Sequence, residues 1–120
     1  MIQGLDTLLV GVRDMDAMTA FYRDVLGLTV KHSSPYFTGL DMNGVQIGLH
    51  AGSGGAALHG WTPCFVVADL KVFRARLIGA GALVEDGFHD IPRGALLDFR
   101  DIEGNPWQAL QFGATAADLV

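Results

Sequence analysis

The chain has 120 residues, half of them hydrophobic, 18% charged and carrying a formal net charge of −5, enough for one domain or for two half-domain modules sharing a core. The acidic balance argues against nucleic-acid binding, which needs a basic footprint, and it favours neutral or cationic partners. No stretch approaches the about twenty uninterrupted apolar residues of a membrane span, no secretory signal is visible, and the single cysteine, Cys64, excludes an internal disulfide and suits a reducing cytoplasm.

Residues 5–12 form a short apolar run without helical period and read as a strand. Asp14 is placed to cap a helix, accepting from backbone N–H groups that otherwise lack partners. Met18, Phe21, Tyr22, Val25 and Leu26 then recur at the spacing of one buried helical face, and Gly27 supplies the left-handed residue that ends it. Residues 28–32 read as a second strand, with Ser33-Ser34-Pro35 as its turn. Residues 36–42 and 45–50 flank Asn43-Gly44, the strongest short-range signal for a two-residue type I′ hairpin. The first half is therefore β-α-β-β-β.

Residues 51–60, rich in glycine and alanine, read as a linker. Gly52-Ser53-Gly54-Gly55-Ala56-Ala57 fits the loose G-x-G-x-x-A dinucleotide pattern, but Gly60, Pro63 and an apolar strand follow where a phosphate-binding helix would have to open. Residues 62–68 are the next strand and Asp69 the next cap. Leu70, Phe73, Leu77 and Ile78 make the apolar stripe of a second helix, which Gly79 and Gly81 close. Residues 82–86 read as a strand, Pro92-Arg93-Gly94 turns into another at 95–100, and Glu103-Gly104-Asn105 turns into the last at 106–112. The tail, 114–120, is a small-residue extension. Asp14 and Asp69 lie 55 positions apart, as do Leu28 and Leu83, while Gly44 and Gly104 lie 60 apart, so one small insertion separates two copies of a βαβββ unit.

Three segments carry a family resemblance: Val12-Arg13-Asp14-Met15, Phe21-Tyr22-Arg23-Asp24-Val25-Leu26-Gly27-Leu28, and Asp101-Ile102-Glu103-Gly104-Asn105. With them the chain resembles the vicinal oxygen chelate superfamily, which includes glyoxalase I, fosfomycin- and bleomycin-resistance proteins and extradiol dioxygenases. The resemblance covers essentially residues 5–112. It implies an α+β fold, a single glyoxalase-like domain over 1–120, in which βαβββ modules at 5–50 and 62–112 curl eight strands into an open cup, usually within homodimers. It also implies, for many members, a divalent metal in that cup. In metal-using members a histidine stands seven residues before the capping aspartate; here that position is Thr7, and its counterpart in the repeat is Thr62. The carboxylate-bearing positions on the last strand of each module fall on Gly48 and Gln108. None of the four offers an imidazole or a carboxylate, the donors that anchor such ions, so neither a metal nor another cofactor is expected.

Strand alternation names the residues sharing a face with those four positions: Leu9 and Gly11, Cys64 and Val66, Gln46 and His50, and Pro106, Leu110 and Phe112. The expected ligand-binding set is Thr7, Gln46, Gly48, His50, Thr62 and Gln108. His50 is able to hydrogen-bond a ligand, act as a general base or ligate a displaced metal, or it is simply a strand-end histidine at the rim. Gln108 either meets a ligand or is an amide satisfied by Thr7 or Thr62. Cys64 reads as an inert inward-facing core thiol, and His32, His59 and His89 as solvated residues near turns. Trp61, Tyr36, Phe37 and Phe99 are candidate aromatic walls, with ordinary core or dimer-interface packing as the alternative. Asp41, Asp98 and Asp101 either add negative charge near a rim or, as the default, are solvated hairpin charge. No Ser-His-Asp order, paired carboxylate motif, P-loop or CxxC is present, and no catalytic residue is assigned. The leading expectation is a cytoplasmic, homodimeric, metal-independent protein that sequesters a neutral or cationic drug-like small molecule. The alternatives are a divalent-metal-dependent lyase, isomerase or dioxygenase with shifted ligands such as His50, and a dimeric interaction module.

Overall fold

Two aspartates start the two principal helices. Asp14 accepts from the Ala17 amide at 3.0 Å and Asp69 from the Val72 amide at 3.1 Å, each supplying an acceptor that the first helical turn lacks. The computed structural model describes residues 1–52 and 62–120, and the chain divides into two units, Met1–Ala56 and Ala57–Val120. The fold is mixed α+β with two sheets, neither closed on itself. Among the described residues no helix is long and apolar enough to cross a membrane.

In the first unit, β1 (Thr7–Val12) leads into α1 (Met15–Ala20), followed by β2 (Thr29–Ser33), β3 (Phe37–Met42) and β4 (Val45–Ala51). The sheet order is β1-β4-β3-β2, with β1 parallel to β4 and the other pairs antiparallel. Asn43 and Gly44, at φ +48° and +97°, form the tight turn between β3 and β4, both in the left-handed region that this hairpin demands. Val10, Val12, Leu40, Ile47 and Leu49 are buried on one sheet face, and Met18, Phe21 and Tyr22 are the buried residues of the helix above. Thr38, fully buried, ties that face to α1: its hydroxyl accepts from Thr19 Oγ1 at 3.1 Å and lies 3.3 Å from Met15 Sδ.

The first helix departs from the regular periodicity its sequence predicts. After Ala20 it continues as a π-helical turn, Phe21–Val25, in which the Leu26 amide reaches back five residues to the Phe21 carbonyl. The widened turn leaves Val25 and Leu26 half-buried rather than buried, and Gly27, at φ +79°, closes it as expected.

The second unit repeats the topology. β5 (Cys64–Val66), α2 (Leu70–Gly79), β6 (Leu83–Val84), β7 (His89–Ile91), β8 (Gly94–Arg100) and β9 (Pro106–Phe112) give the order β5-β9-β8-β6, with β7 also paired to β8. The expected eight strands are nine among the described residues, because residues 85–88 split the strand that would match β2. This is the insertion inferred from the unequal repeat spacing. The core face carries Phe65 stacked on Trp107, with ring centroids 4.4 Å apart, and Phe99 met edge-on by Phe73 of α2 at 5.6 Å. Phe99 is thus core and not a ligand wall. Gln111 on the same face accepts the first helical amide, Leu70 N–H, at 2.7 Å. Ile78, expected in the buried stripe, is half exposed. The tail forms α3 (Ala116–Leu119), started by Thr115 and by Asp90, which accepts from the Ala116 amide at 2.7 Å.

Asp101 is not solvated hairpin charge. It is 2% exposed, and its carboxylate accepts from the Glu103 and Asn105 amides at 3.0 and 2.9 Å and from Asn105 Nδ2 at 2.8 Å. These bonds satisfy a buried charge and set the length of the β8–β9 connection. Replacing Asp101 by alanine strips three donors of their acceptor; chemical denaturation is expected to show a loss of about 3 kcal/mol.

Candidate functional site

The face of each sheet turned away from its helix carries the candidate residues. In the first unit that face bears Thr7, Leu9 and Gly11 from β1, Gln46, Gly48 and His50 from β4, and Phe37, Gly39 and Asp41 from β3, since register partners share a face. Thr7 and Gln46 are register partners, and Gln46 Nε2 donates to Thr7 Oγ1 at 3.1 Å while the threonine hydroxyl donates to Asp6 at 2.6 Å. Gly39 and Gly48 also face one another, and side chains lie over both. A Cβ on Gly48 would stand 2.9 Å from Phe37 Cε2, and one on Gly39 would stand 2.8 Å from His32 Nε2 and 2.6 Å from Gln46 Oε1. The His32 and Phe37 rings stack at 5.4 Å and 19°. The glycine pair is therefore a seat for two aromatic rings. His50 stands exposed near the end of β4, opposite Phe37 in the register.

In the second unit the corresponding face bears Cys64 and Val66, Gln108, Leu110 and Phe112, and Leu96, Asp98 and Arg100, while Leu83 and His89 are the register partners of Arg100 and Leu96. Cys64, Gln108 and Asp98 are successive register partners across three strands. Gln108 Nε2 donates to Asp98 Oδ1 at 2.8 Å, and His89 Nε2 lies 3.6 Å from Asp98 Oδ2. The amide of Gln108 is thus held by Asp98, not by a threonine hydroxyl. An open cleft of about 530 Å³ runs beside this row, lined by Thr62, Leu83, Glu85, Asp98, Arg100 and Pro106 among others. That volume lies within the range of small-molecule sites. Cys64 is exposed on this face rather than inward in the core. Local desolvation nonetheless pushes its thiol above the ordinary range; Arg93 opposes that rise and Asp98 adds to it. The thiol stays protonated near neutrality and is a poor nucleophile.

The six candidate residues divide accordingly. Thr7 and Gln46 are joined in the first unit, Gly48 lies beneath Phe37, and His50 stands at the strand end. Thr62 lines the second unit's cleft, and Gln108 is bonded to Asp98, which lines it too. His32, Asp98 and His89, set aside at the level of sequence as solvated, are placed on these faces by the register. Tyr36 is 77% exposed, and Trp61, His59 and most of the linker with its glycine-rich pattern lie outside the described residues. The donor set at the four family positions does not fit a divalent metal. It consists of two hydroxyls, a glycine under a phenyl ring and an amide bonded to a carboxylate. Among the described residues no three histidine, cysteine, aspartate or glutamate side chains converge as ligands.

A model of the Glyoxalase/Bleomycin resistance protein/Dioxygenase superfamily matches residues 4–109, and the chain belongs to that superfamily. Solved structures share the fold. The genomically encoded fosfomycin resistance protein FosX from Listeria monocytogenes is 17% identical with a TM-score of 0.79, covering 100% of both chains. TnmS3, an antibiotic binding protein from Streptomyces sp. CB03234, is 20% identical with a TM-score of 0.72, covering 93% of this chain and 98% of that one. Lactoylglutathione lyase from Agrobacterium tumefaciens is 21% identical with a TM-score of 0.70, covering 92% and 94% respectively. None of the curated proteins matches the chain.

Two outcomes follow from this geometry. Gly48→Ala forces the Phe37 ring aside, so the ring-current shifts of the His32 imidazole protons collapse toward free-histidine values, at a stability cost of about 1–2 kcal/mol. Alkylation of Cys64 by iodoacetamide at pH 8 is slower than for an unstructured cysteine peptide. Asp98→Asn removes a negative neighbour that raises the thiol, so the alkylation rate increases.

Proposed function

We propose that this chain is a metal-independent small-molecule-binding protein that acts by sequestration, as a cytoplasmic homodimer. The observation that carries the reading is the donor set at the family's metal positions. Thr7 is engaged with Gln46 and Asp6, Gly48 is covered by Phe37, and Gln108 is bonded to Asp98. None of the groups at these positions is itself an imidazole or a carboxylate, so they orient a ligand without supplying the donors that anchor a divalent metal. The cleft beside Gln108 offers apolar walls, from Leu83 and Pro106, next to a small number of polar groups, the composition that binds a ligand by burial and directed hydrogen bonds. The fold shared with TnmS3, an antibiotic binding protein, and with a fosfomycin resistance protein supports the same reading.

In this reading Thr7 and Gln46 with His50 contribute polar contacts on the first unit, and Thr62 and Gln108 on the second, while Gly48 provides the floor on which Phe37 lies. No bond is made or broken, so affinity and residence time set the effect of the protein. The ligand is neutral or cationic, as the net charge of −5 favours.

Elemental analysis of purified protein and a thermal-shift panel on chelator-treated protein test this reading together. Substoichiometric divalent metal is expected, with members of the panel still raising the melting temperature. A ligand at a hundredfold excess over its Kd stabilises by about 2.7 kcal/mol. Stoichiometric metal whose removal abolishes ligand response would overturn the reading in favour of a metalloenzyme.

A further inference from the structure

We propose that Met15 is a modification site for hydroperoxides, oxidised to a single sulfoxide epimer because the Thr38 hydroxyl holds one face of its sulfur.

Met15, the first residue of α1, lies between two environments. On the sheet side, Thr38 of β3 is fully buried and donates to Met15 Sδ at 3.3 Å. On the other side Met15 is half-buried and lines an open cleft of about 700 Å³, together with Arg13, Asp16, Ser33 and Ser34 among others. The supply of protons fixes the direction of the sulfur contact. Thr38 Oγ1 accepts from Thr19 Oγ1 at 3.1 Å and lies 2.8 Å from Ser33 Oγ. A hydroxyl has one proton and two lone pairs. All three contacts are made together when Thr19 and Ser33 donate and Thr38 gives its one proton to the sulfur. The first turn of α1 is thereby joined through Thr38 to the end of β2.

A thioether sulfur has two lone pairs, and oxidation at one or the other gives opposite sulfoxide epimers. Thr38 occupies one lone pair and fills the space before it, so an oxidant arriving through the cleft meets the other. That lone pair attacks the terminal oxygen of the hydroperoxide. An S–O bond forms as the O–O bond breaks, the sulfur loses two electrons, and the proton of the transferred hydroxyl passes to the departing oxygen, which leaves as water or an alcohol. The product is polar where the thioether was apolar, and its sulfur is electron-poor and a weaker acceptor for Thr38. The contact between α1 and β3 is loosened. Each epimer is reduced by its own enzyme, so one class of methionine sulfoxide reductase reverses the change. Two other methionines serve as internal references: Met18 is fully buried and Met1 fully exposed.

The experiment treats the full-length protein with dilute hydrogen peroxide in a Cys64→Ser background, which removes the exposed thiol as a competing sulfur. Peptide mass spectrometry follows each methionine, and the digest is divided between the two epimer-specific reductases. Met15 is expected to be oxidised while Met18 is spared. One reductase is expected to reduce the Met15 sulfoxide about tenfold more completely than the other, against an even mixture at Met1. Thr38→Ala opens the blocked face, and the ratio at Met15 falls toward one. Oxidised protein unfolds at a lower urea concentration than untreated protein, and the matching reductase restores the midpoint. Met15→Leu, which keeps an apolar side chain of similar size, shows no such peroxide effect and serves as the measurement if the Thr38 variant does not fold. Met15 left intact when Met1 is fully oxidised would overturn the proposal. So would an even epimer mixture at Met15, an unchanged ratio in folded Thr38→Ala, or a peroxide effect on the midpoint that persists in Met15→Leu.

Discussion

A buried carboxylate at the β8–β9 connection governs what the second unit can present. Asp101 gathers two backbone amides and the Asn105 side chain, and with them fixes five residues between paired Arg100 and Pro106. A connection one residue longer or shorter would slip the register and turn alternate side chains to the other face. With the register as it stands, Asp98 is opposite Gln108 and Phe99 opposite Trp107. The polar pair shares the open face, where Asp98 lines the cleft, and the aromatic pair is buried on the core face. Site and core in this unit depend on the same pairing.

The two units share a topology and diverge at matching positions. Gly48 and Gln108 are 60 residues apart and equivalent in the repeat, and their antiparallel partners are Gly39 and Asp98. In the first unit the pair has no side chains, and two stacked rings settle over it. In the second the pair is a carboxylate and an amide bonded to each other. One surface is thereby suited to shape and stacking, the other to charge. Neither carries an imidazole or carboxylate at its family ligand position, the donors that anchor a divalent ion.

Much of the fold is legible in the sequence, because its signals are local. Asp14 and Asp69 announce helix starts, Asn43-Gly44 announces a hairpin, and alternation in β1, β4 and β9 separates buried from open faces. The candidate site is less legible, since it depends on pairing. Alternation turns both Asp98 and Arg100 outward, and nothing in the sequence says which of them meets Gln108; that follows from the loop that Asp101 holds. His32 shares a face with Val30 in a regular strand, but a bulge between the two moves it to the open face beside Phe37. His89 sits on a strand of three residues, too short to show a period. The π-helical turn likewise leaves no mark on a pattern read at 3.6 residues per turn.

Thr7 and Gln108, at two of the four family ligand positions, are held by their neighbours, and on the proposed reading these positions take up no divalent ion. Titration of the protein with Mn²⁺, observing the Gln108 side-chain amide and the Thr7 and Thr62 methyl resonances, tests it most directly. No saturable, site-specific paramagnetic broadening is expected at these three residues, with the Gln108 amide remaining in its hydrogen-bonded position. Stoichiometric broadening centred on Gln108 and the two threonines would contradict it.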